Sequence, residues 1–307
     1  RTVKSQNQVI RELATGEIDI IIGTHRLLSP DVVFRDLGLI IIDEEQRFGV
    51  KDKEKLKHMR SEAHILTLTA TPIPRTLNLA LSGLREISLI ETPPNGRLPI
   101  DTLIQPYDEA VIREAIEKEF TRGGQAYFLY NNVERIGLMA ERLGRLIPKA
   151  RIGIAHGQLP EHKLAEAMAE FDDGRTNLLV CSTIIENGLD LPNVNTMIVE
   201  NATQYGLAQL YQLRGRIGRG TVQATSYFLY HAKKLTGQAQ KRLQALLEAK
   251  ALGSGSQIAL RDMEIRGVGN ILGKEQHGRV AQIGLALYSR LLAQAVEELR
   301  TSPVVGS

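Results

Sequence analysis

Asp43-Glu44-Glu45-Gln46 follows directly on the apolar run Leu39 to Ile42, so carboxylates fall at the carboxyl end of a strand that carries no polar side chain. Open α/β sheets place their ligand sites at such strand ends. One carboxylate there could hold Mg²⁺ while its neighbour orients or deprotonates a water, the division of labour used in nucleotide hydrolysis. Taken alone, a solvated acidic turn would account for the run as well. A second run, Thr67-Leu68-Thr69-Ala70-Thr71-Pro72-Ile73-Pro74-Arg75-Thr76, puts hydroxyls where an apolar strand ends and prolines where a helix begins. Those hydroxyls could link a nucleotide site to a neighbouring surface, or simply cap the helix. The third run, Ser182 to Pro192, contains Gly188, which permits a tight backbone, and Asp190, which could accept from a ribose hydroxyl or position an arginine; a bare strand-to-loop turn fits equally. In the fourth, Gln212-Leu213-Arg214-Gly215-Arg216-Ile217-Gly218-Arg219-Gly220, arginines alternate with glycines. Guanidinium forks beside closely approachable backbone suit phosphate, and a solvated basic loop is the alternative.

The elements that must position these runs are short apolar strands alternating with helical periods, the pattern of a parallel sheet covered on both faces. Strands are expected at Ile18 to Ile22, Leu39 to Ile42, Ile65 to Leu68, Ala126 to Tyr130, Ile152 to Ala155, Leu178 to Cys181, Thr196 to Val199 and Ser226 to Leu229. One helix is capped by Asp108, presents Val111, Ile112, Ala115, Ile116 and Phe120 on a single face, and stops at Gly123-Gly124. The next carries Ile136, Ala140, Leu143 and Ile147 and is followed by Pro148. This alternation predicts a doubly wound α/β fold. The proline- and glycine-rich stretch Thr92 to Arg97 suits neither helix nor strand and is read as the domain boundary. Beyond Leu247, glycines punctuate a charged segment without strand-helix alternation. The expected domains are therefore 1–92, 93–249 and an appendage over 250–307.

Composition narrows the classes. The 307 residues are 43% hydrophobic and 24% charged, which gives a globular chain rather than a disordered or fibrous one. The longest uninterrupted apolar run, Ala126 to Tyr130, is far below the ~18 residues of a membrane span. A single cysteine, Cys181, allows no internal disulfide, and a cytoplasmic setting is expected, with no membrane partner. With 38 basic and 35 acidic side chains, any polyanion must be met by local patches.

The four chemistry-bearing runs, in this order and on either side of a proline-rich boundary, resemble motifs II, III, V and VI of superfamily 2 helicases and translocases, whose two RecA-like domains close on ATP. Gly23-Thr24-His25-Arg26 is similar to their nucleic-acid-contacting motif Ib. Within that superfamily the chain resembles the translocase module shared by bacterial transcription-repair coupling factors and RecG-type helicases. The marks are Asp43 to Val50, the Thr-Ala-Thr-Pro-Ile-Pro-Arg-Thr run, and Arg261-Asp262-Met263-Glu264-Ile265-Arg266-Gly267-Val268-Gly269-Asn270, which continues to Gly273, Gln276 and Gly278 and resembles the TRG motif of the two families. Asp-Glu-Glu-Gln and the run Gly253 to Glu264 are nearer the coupling factors.

The resemblance implies two RecA-like domains, ATP and Mg²⁺ as cofactors, and double-stranded DNA as partner. It gives Asp43 the Mg²⁺ of MgATP and Glu44 the hydrolytic water. Gln46, Gly188, Asp190 and Gln212 fall in the nucleotide site with the arginine fingers Arg216 and Arg219, whose loop Gln212 and Arg214 support. Thr24, His25, Arg26 and Thr183 would lie on the DNA backbone, and Thr69, Thr71, Arg266 and Gln276 would couple domain closure to movement. No Gly-x-x-x-x-Gly-Lys-Ser/Thr loop occurs in the chain. In the family that loop lies upstream of the helix at which this sequence begins. The chain is therefore expected to be a motor fragment with little ATPase activity of its own. RNA polymerase and a damage-recognition factor would be reached through other domains of a transcription-repair protein. A RecG-type remodeller of forks and junctions is the nearer alternative, and a DNA-binding module without ATPase activity is one of another class.

Overall fold

The computed structural model describes residues 3–45, 48–59, 63–71, 87–90, 92, 96–183, 193–249 and 254–266. Two compact units divide the chain, Arg1–Ala70 and Thr71–Ser307.

In the first unit, helix α1 (Val3–Thr15) ends at Gly16, whose φ of 79° few other residues would adopt. Strand β1 (Leu39–Asp43) runs parallel to β2 (His64–Leu68), with Asp43 opposite Leu68, and α2 (Val50–Met59) lies between them in sequence. Leu13, Ile42 and Leu56 are buried, whereas Leu39, Ile41, Leu66 and Leu68, on the other face of the strand pair, are 44–58% exposed. The strand expected at Ile18 to Ile22 is not formed: among the described residues it has no ladder partner, and Ile20 and Ile22 stand in solvent at 82% and 93% exposure. A β pattern is realised only when a neighbour takes up its N–H and C=O groups.

The second unit is built on a parallel sheet of six strands in the order β3-β8-β7-β4-β6-β5. These are β3 (Asp101–Pro106), β4 (Gln125–Leu129), β5 (Ile152–Ala155), β6 (Leu178–Cys181), β7 (Val194–Val199) and β8 (Thr225–Tyr230). Every residue of β4, β6 and β7 is buried, and their apolar stretches Ala126 to Leu129, Leu178 to Cys181 and Met197 to Val199 suit strands covered on both faces. Alternate side chains divide between two cores. Ala126, Phe128, Leu178, Val180 and Ile198 pack under α3 (Glu109–Thr121) and α4 (Ile136–Leu146). Tyr127, Leu129, Leu179, Cys181, Met197 and Val199 face Phe171 of α5 (Glu161–Asp172), Leu210 and Leu213 of α6 (Leu207–Arg214), Leu243 and Leu246 of α7 (Gly237–Glu248), and Ile258 of α8 (Gly255–Arg266). The doubly wound α/β architecture expected from the alternation is thus present.

Two local outcomes differ from the sequence reading. Asp101–Pro106 forms an edge strand that was not expected, because its apolar residues are few and it ends in proline. Glu119 is fully buried on the apolar face of α3: the Thr196 hydroxyl donates to its carboxylate at 2.5 Å, and Arg122, one turn on, makes a close ion pair with it. Asp108 caps α3 as expected, its side chain accepting from the Ala110 N–H at 2.8 Å.

Candidate functional site

At the end of β1 the chain turns sharply through Glu44, the one described non-glycine residue with positive φ, at 53°. Such left-handed backbone costs an ordinary side chain of order 1–2 kcal/mol and concentrates at functional sites. The turn is fixed by register: Asp43 lies opposite Leu68, the Glu44 N–H donates to the Leu68 carbonyl at 3.0 Å, and Thr69 follows β2 at the same level. The Thr69 hydroxyl then donates to Glu44 Oε2 at 3.4 Å. Residues 43–45 and 67–69 of two runs read separately from the sequence are therefore brought side by side at one strand-end edge. Asp43 is exposed there and Glu44 half-buried, so both residues are accessible to solvent at that edge of the first unit.

This donor set fits a magnesium ion that keeps most of its waters, since Mg²⁺ is ordinarily held through one or two carboxylates plus substrate phosphates. Asp43 would hold it. No glycine-rich loop with Lys-Ser/Thr is present in these 307 residues to cradle the triphosphate itself.

Thr24 caps a 3₁₀ turn (His25–Leu28), its hydroxyl accepting from the Arg26 N–H. Arg26 is not presented to solvent as a lone cation: its two terminal nitrogens bind both oxygens of Asp31, at 2.8 and 2.6 Å. That fork raises the Arg26 pKa and lowers that of Asp31, chiefly through the hydrogen bonds themselves. Asp31 carries no signal that spacing alone would have found.

In the second unit, Leu129, Cys181 and Ala155 are ladder partners, so the residues after β4, β6 and β5 leave the sheet together. Tyr130 donates its N–H to the Cys181 carbonyl at 2.9 Å and Ser182 to Ala155 at 3.2 Å. Thr183, half-exposed, thereby shares one edge with Asn131 and His156, which the sequence reading did not assign. The signal was available: both directly follow predicted strands. Cys181 is fully buried, and burial pushes its thiol well above the ordinary range, which leaves it chemically inert.

Helix α6 leads into the arginine loop. Gln212 Nε2 donates to the Thr71 hydroxyl at 3.0 Å within this unit, and Thr71 is 4% exposed. Arg214 turns inward, stacks 4.9 Å over the Tyr211 ring and donates to the Leu246 carbonyl at 3.3 Å. Burial lowers its pKa, with Tyr211 opposing. Arg216 and Arg219 remain half-exposed. Burial raises the Tyr127 phenol, and positive charge from Arg219 and Arg216 partly offsets this, so both guanidinium groups lie within electrostatic reach of β4. Arg97 also reaches this loop, donating to the Gly215 carbonyl at 3.1 Å; as part of a proline-rich boundary it had carried no expected role. Gln46, Gly188, Asp190 and Gln276 lie outside the described residues, as does the side chain of Arg266 at the end of α8.

Comparison with known proteins agrees with this layout. Residues 2–80 match the DEAD/DEAH box helicase family and residues 108–221 the helicase conserved C-terminal domain. The chain is 54% identical to the transcription-repair-coupling factor of Escherichia coli K12 over 98% of its length, which is 26% of that protein. Against the factor of Bacillus subtilis 168 it is 54% identical over 97% of its length and 25% of the relative. It thus spans about a quarter of the curated relatives it matches. Among solved structures, RecG bound to a three-way DNA junction superposes with a TM-score of 0.69 at 35% identity, covering 95% of this chain and 38% of that one. Mycobacterium smegmatis helicase Lhr bound to ssDNA and AMP-PNP, at TM-score 0.58 and 19% identity over 80% of this chain and 36% of Lhr, shares the fold. The resemblance to the superfamily 2 translocase module of coupling factors and RecG, expected from the motifs, is borne out. So is the RecA-like α/β class. Among the described residues, no helix is long and apolar enough to cross a membrane.

Proposed function

We propose that the chain is the motor part of an ATP-driven double-stranded DNA translocase that acts in transcription-coupled DNA repair in the cytoplasm. The observation that carries ATP hydrolysis is Glu44, held at a strand end in left-handed backbone one hydrogen bond from Thr69. MgATP, when bound, supplies the phosphoanhydride and the charge-neutralising ion. Asp43 would hold the ion and Glu44 would take up a proton from the attacking water, for which a half-buried carboxylate beside a hydroxyl is suited. Arg216 and Arg219 stabilise charge on the terminal phosphate, Gln212 supports their loop, and Gln46, Gly188 and Asp190 complete the nucleotide site. Thr24, His25, Arg26 and Thr183 grip the DNA backbone, contacts that position without reading sequence. Thr69, Thr71, Arg266 and Gln276 couple closure to movement, and the Thr71–Gln212 bond supports that role. Residues 1–92 and 93–249 are the two motor domains and 250–307 the TRG appendage. RNA polymerase and a damage-recognition factor are met through other parts of the full-length protein.

Steady-state ATP turnover with Mg²⁺, with and without linear duplex DNA, tests this reading. The full-length protein is expected to show DNA-stimulated turnover and the 307-residue chain almost none. Comparable turnover in both would overturn the account of the nucleotide site, and a full-length protein indifferent to duplex DNA would remove the translocase. The likeness to RecG on a three-way junction favours a second reading, a remodeller of branched DNA; stimulation by junctions far above that by linear duplex would select it.

DNA contact by Arg26 carries a prediction of its own. Asp31 occupies its fork as a phosphate would. Because exposed ion pairs are weak, Asp31→Asn should raise duplex affinity of this chain about two- to five-fold at low salt and steepen the salt dependence. Fluorescence anisotropy reads both, and in an Arg26→Gln background the gain should vanish. A gain that survives there would mean general charge removal.

A further inference from the structure

The stretch that follows the proline-rich boundary does not lead straight into β3. From Arg97 to Asp101 it runs along the arginine loop of the second unit and touches it repeatedly. Arg97 Nη2 donates to the Gly215 carbonyl at 3.1 Å, and the Gln223 amide donates to the Pro99 carbonyl at 2.7 Å. The Asp101 N–H donates to the Ala224 carbonyl at 2.9 Å. Ile100 closes over Gly218: a Cβ there would stand 3.3 Å from Ile100 Cγ1 and 2.8 Å from the Ala224 Cβ, on backbone whose φ is already +66°. The far side of the loop is anchored separately, by fully buried Ile217 and by the Gly218 N–H donating to the Val194 carbonyl at 3.3 Å.

Within this strap Arg97 has a distinct place. The Gly215 oxygen belongs to the peptide plane that joins Gly215 to Arg216, so its direction sets the direction in which the Arg216 side chain leaves the backbone. The Arg216 N–H of that plane donates to the Leu213 carbonyl at 2.9 Å, and Arg97 holds the opposite edge. Its charge also meets the carboxyl end of α6, where unsatisfied carbonyls favour a cation. We propose that Arg97 is a positioning residue that fixes the loop carrying Arg216 and Arg219 and ties it to the boundary segment, so that displacement of that segment is delivered to the two arginines. This rests on the reading of Arg216 and Arg219 as the residues that act on the terminal phosphate.

The test uses the full-length protein with Arg97→Ala, Arg97→Lys and, as reference, Arg216→Ala. Misplacement of a charge-stabilising group by about an ångström costs on the order of a hundredfold. Arg97→Ala is therefore expected to lower kcat for DNA-stimulated ATP turnover about ten- to a hundredfold, with KM for ATP and duplex affinity within about two-fold of the parent. Arg97→Lys, which keeps the charge and a donor for that carbonyl but not the planar guanidinium, should recover part of kcat. Amide hydrogen exchange over 215–224 should quicken in the alanine variant and not in the lysine one. A kcat within two-fold of the parent in Arg97→Ala overturns the proposal. So does a variant set in which KM, DNA affinity and melting temperature fall together with kcat and lysine does no better than alanine. Should Arg97→Ala fail to fold, Arg97→Lys decides alone, since a kcat equal to the parent's would leave the guanidinium without a positioning role. If Arg216→Ala itself retains turnover, the phosphate reading has failed instead, and unchanged exchange over 215–224 would then dispose of the positioning role as well.

Discussion

Replacing Glu44 by glutamine in the full-length protein should lower DNA-stimulated ATP turnover by about 10²–10⁴-fold, the range for loss of a general base. The amide keeps the size of the side chain and can still accept from the Thr69 hydroxyl, which now donates to Glu44 Oε2 at 3.4 Å. It can no longer take up a proton. Left-handed backbone at this position is set by the Glu44 N–H reaching the Leu68 carbonyl at 3.0 Å, a main-chain bond that glutamine leaves alone. KM for ATP, duplex affinity and melting temperature should therefore stay near those of the parent while kcat collapses. Steady-state turnover at saturating ATP and DNA measures the change; unaltered kcat would remove Glu44 from the chemistry. Thr69→Val should give a smaller loss in the same direction, because it removes the donor that orients the carboxylate and leaves the carboxylate in place.

The second large effect is on stability. Phe128 sits in β4, between β7 and β6 near the middle of the sheet, is fully buried, and packs with Ile112 and Ile116 of α3 and Met139 and Leu143 of α4. Phe128→Ala should destabilise the second unit by about 3–5 kcal/mol, the transfer term together with a cavity that strands pinned on both sides cannot close. A urea titration followed by far-ultraviolet circular dichroism gives the shift in midpoint; a loss below about 1 kcal/mol would mean that α3 and α4 collapse into the gap. Leu138, on the outer face of α4 at 64% exposure, is the matched control, and its alanine variant should lie within about 0.5 kcal/mol of the parent.

Much of this frame was legible in the residues because burial on both sides writes itself into a strand as an unbroken apolar run. Leu178–Cys181 and the run from Ala126 to Leu129 fall where their residues placed them for that reason. Asp101–Pro106 did not, since an edge strand partly open to solvent needs few apolar residues. Ile18 to Ile22 reads as a strand and is none, because alternation states a preference and a ladder needs a neighbour. Glu119 shows the same limit on a helix: Arg122 one turn on is a partner that local spacing offers, but Thr196, which also donates to the buried carboxylate, is 77 residues away. At the candidate site, residue types pointed to Glu44 and Thr69, but nothing in either run told that they would meet. The hold of Arg97 on Gly215 spans 118 residues and lay hidden in a stretch whose prolines and glycine marked it only as a boundary.

The left-handed backbone at Glu44 sets heat resistance against turnover at a single codon. Glycine adopts φ near 53° without a steric penalty and asparagine at a small one, so either would relieve about 1–2 kcal/mol of strain at the end of β1. A library screened for survival on heating would enrich those two residues, and each winner would have lost the carboxylate on which hydrolysis is proposed to depend. Thermal ranking of variants is therefore a misleading guide at this position, and a consensus-style stabilisation scheme for the protein has to hold residue 44 out of its search.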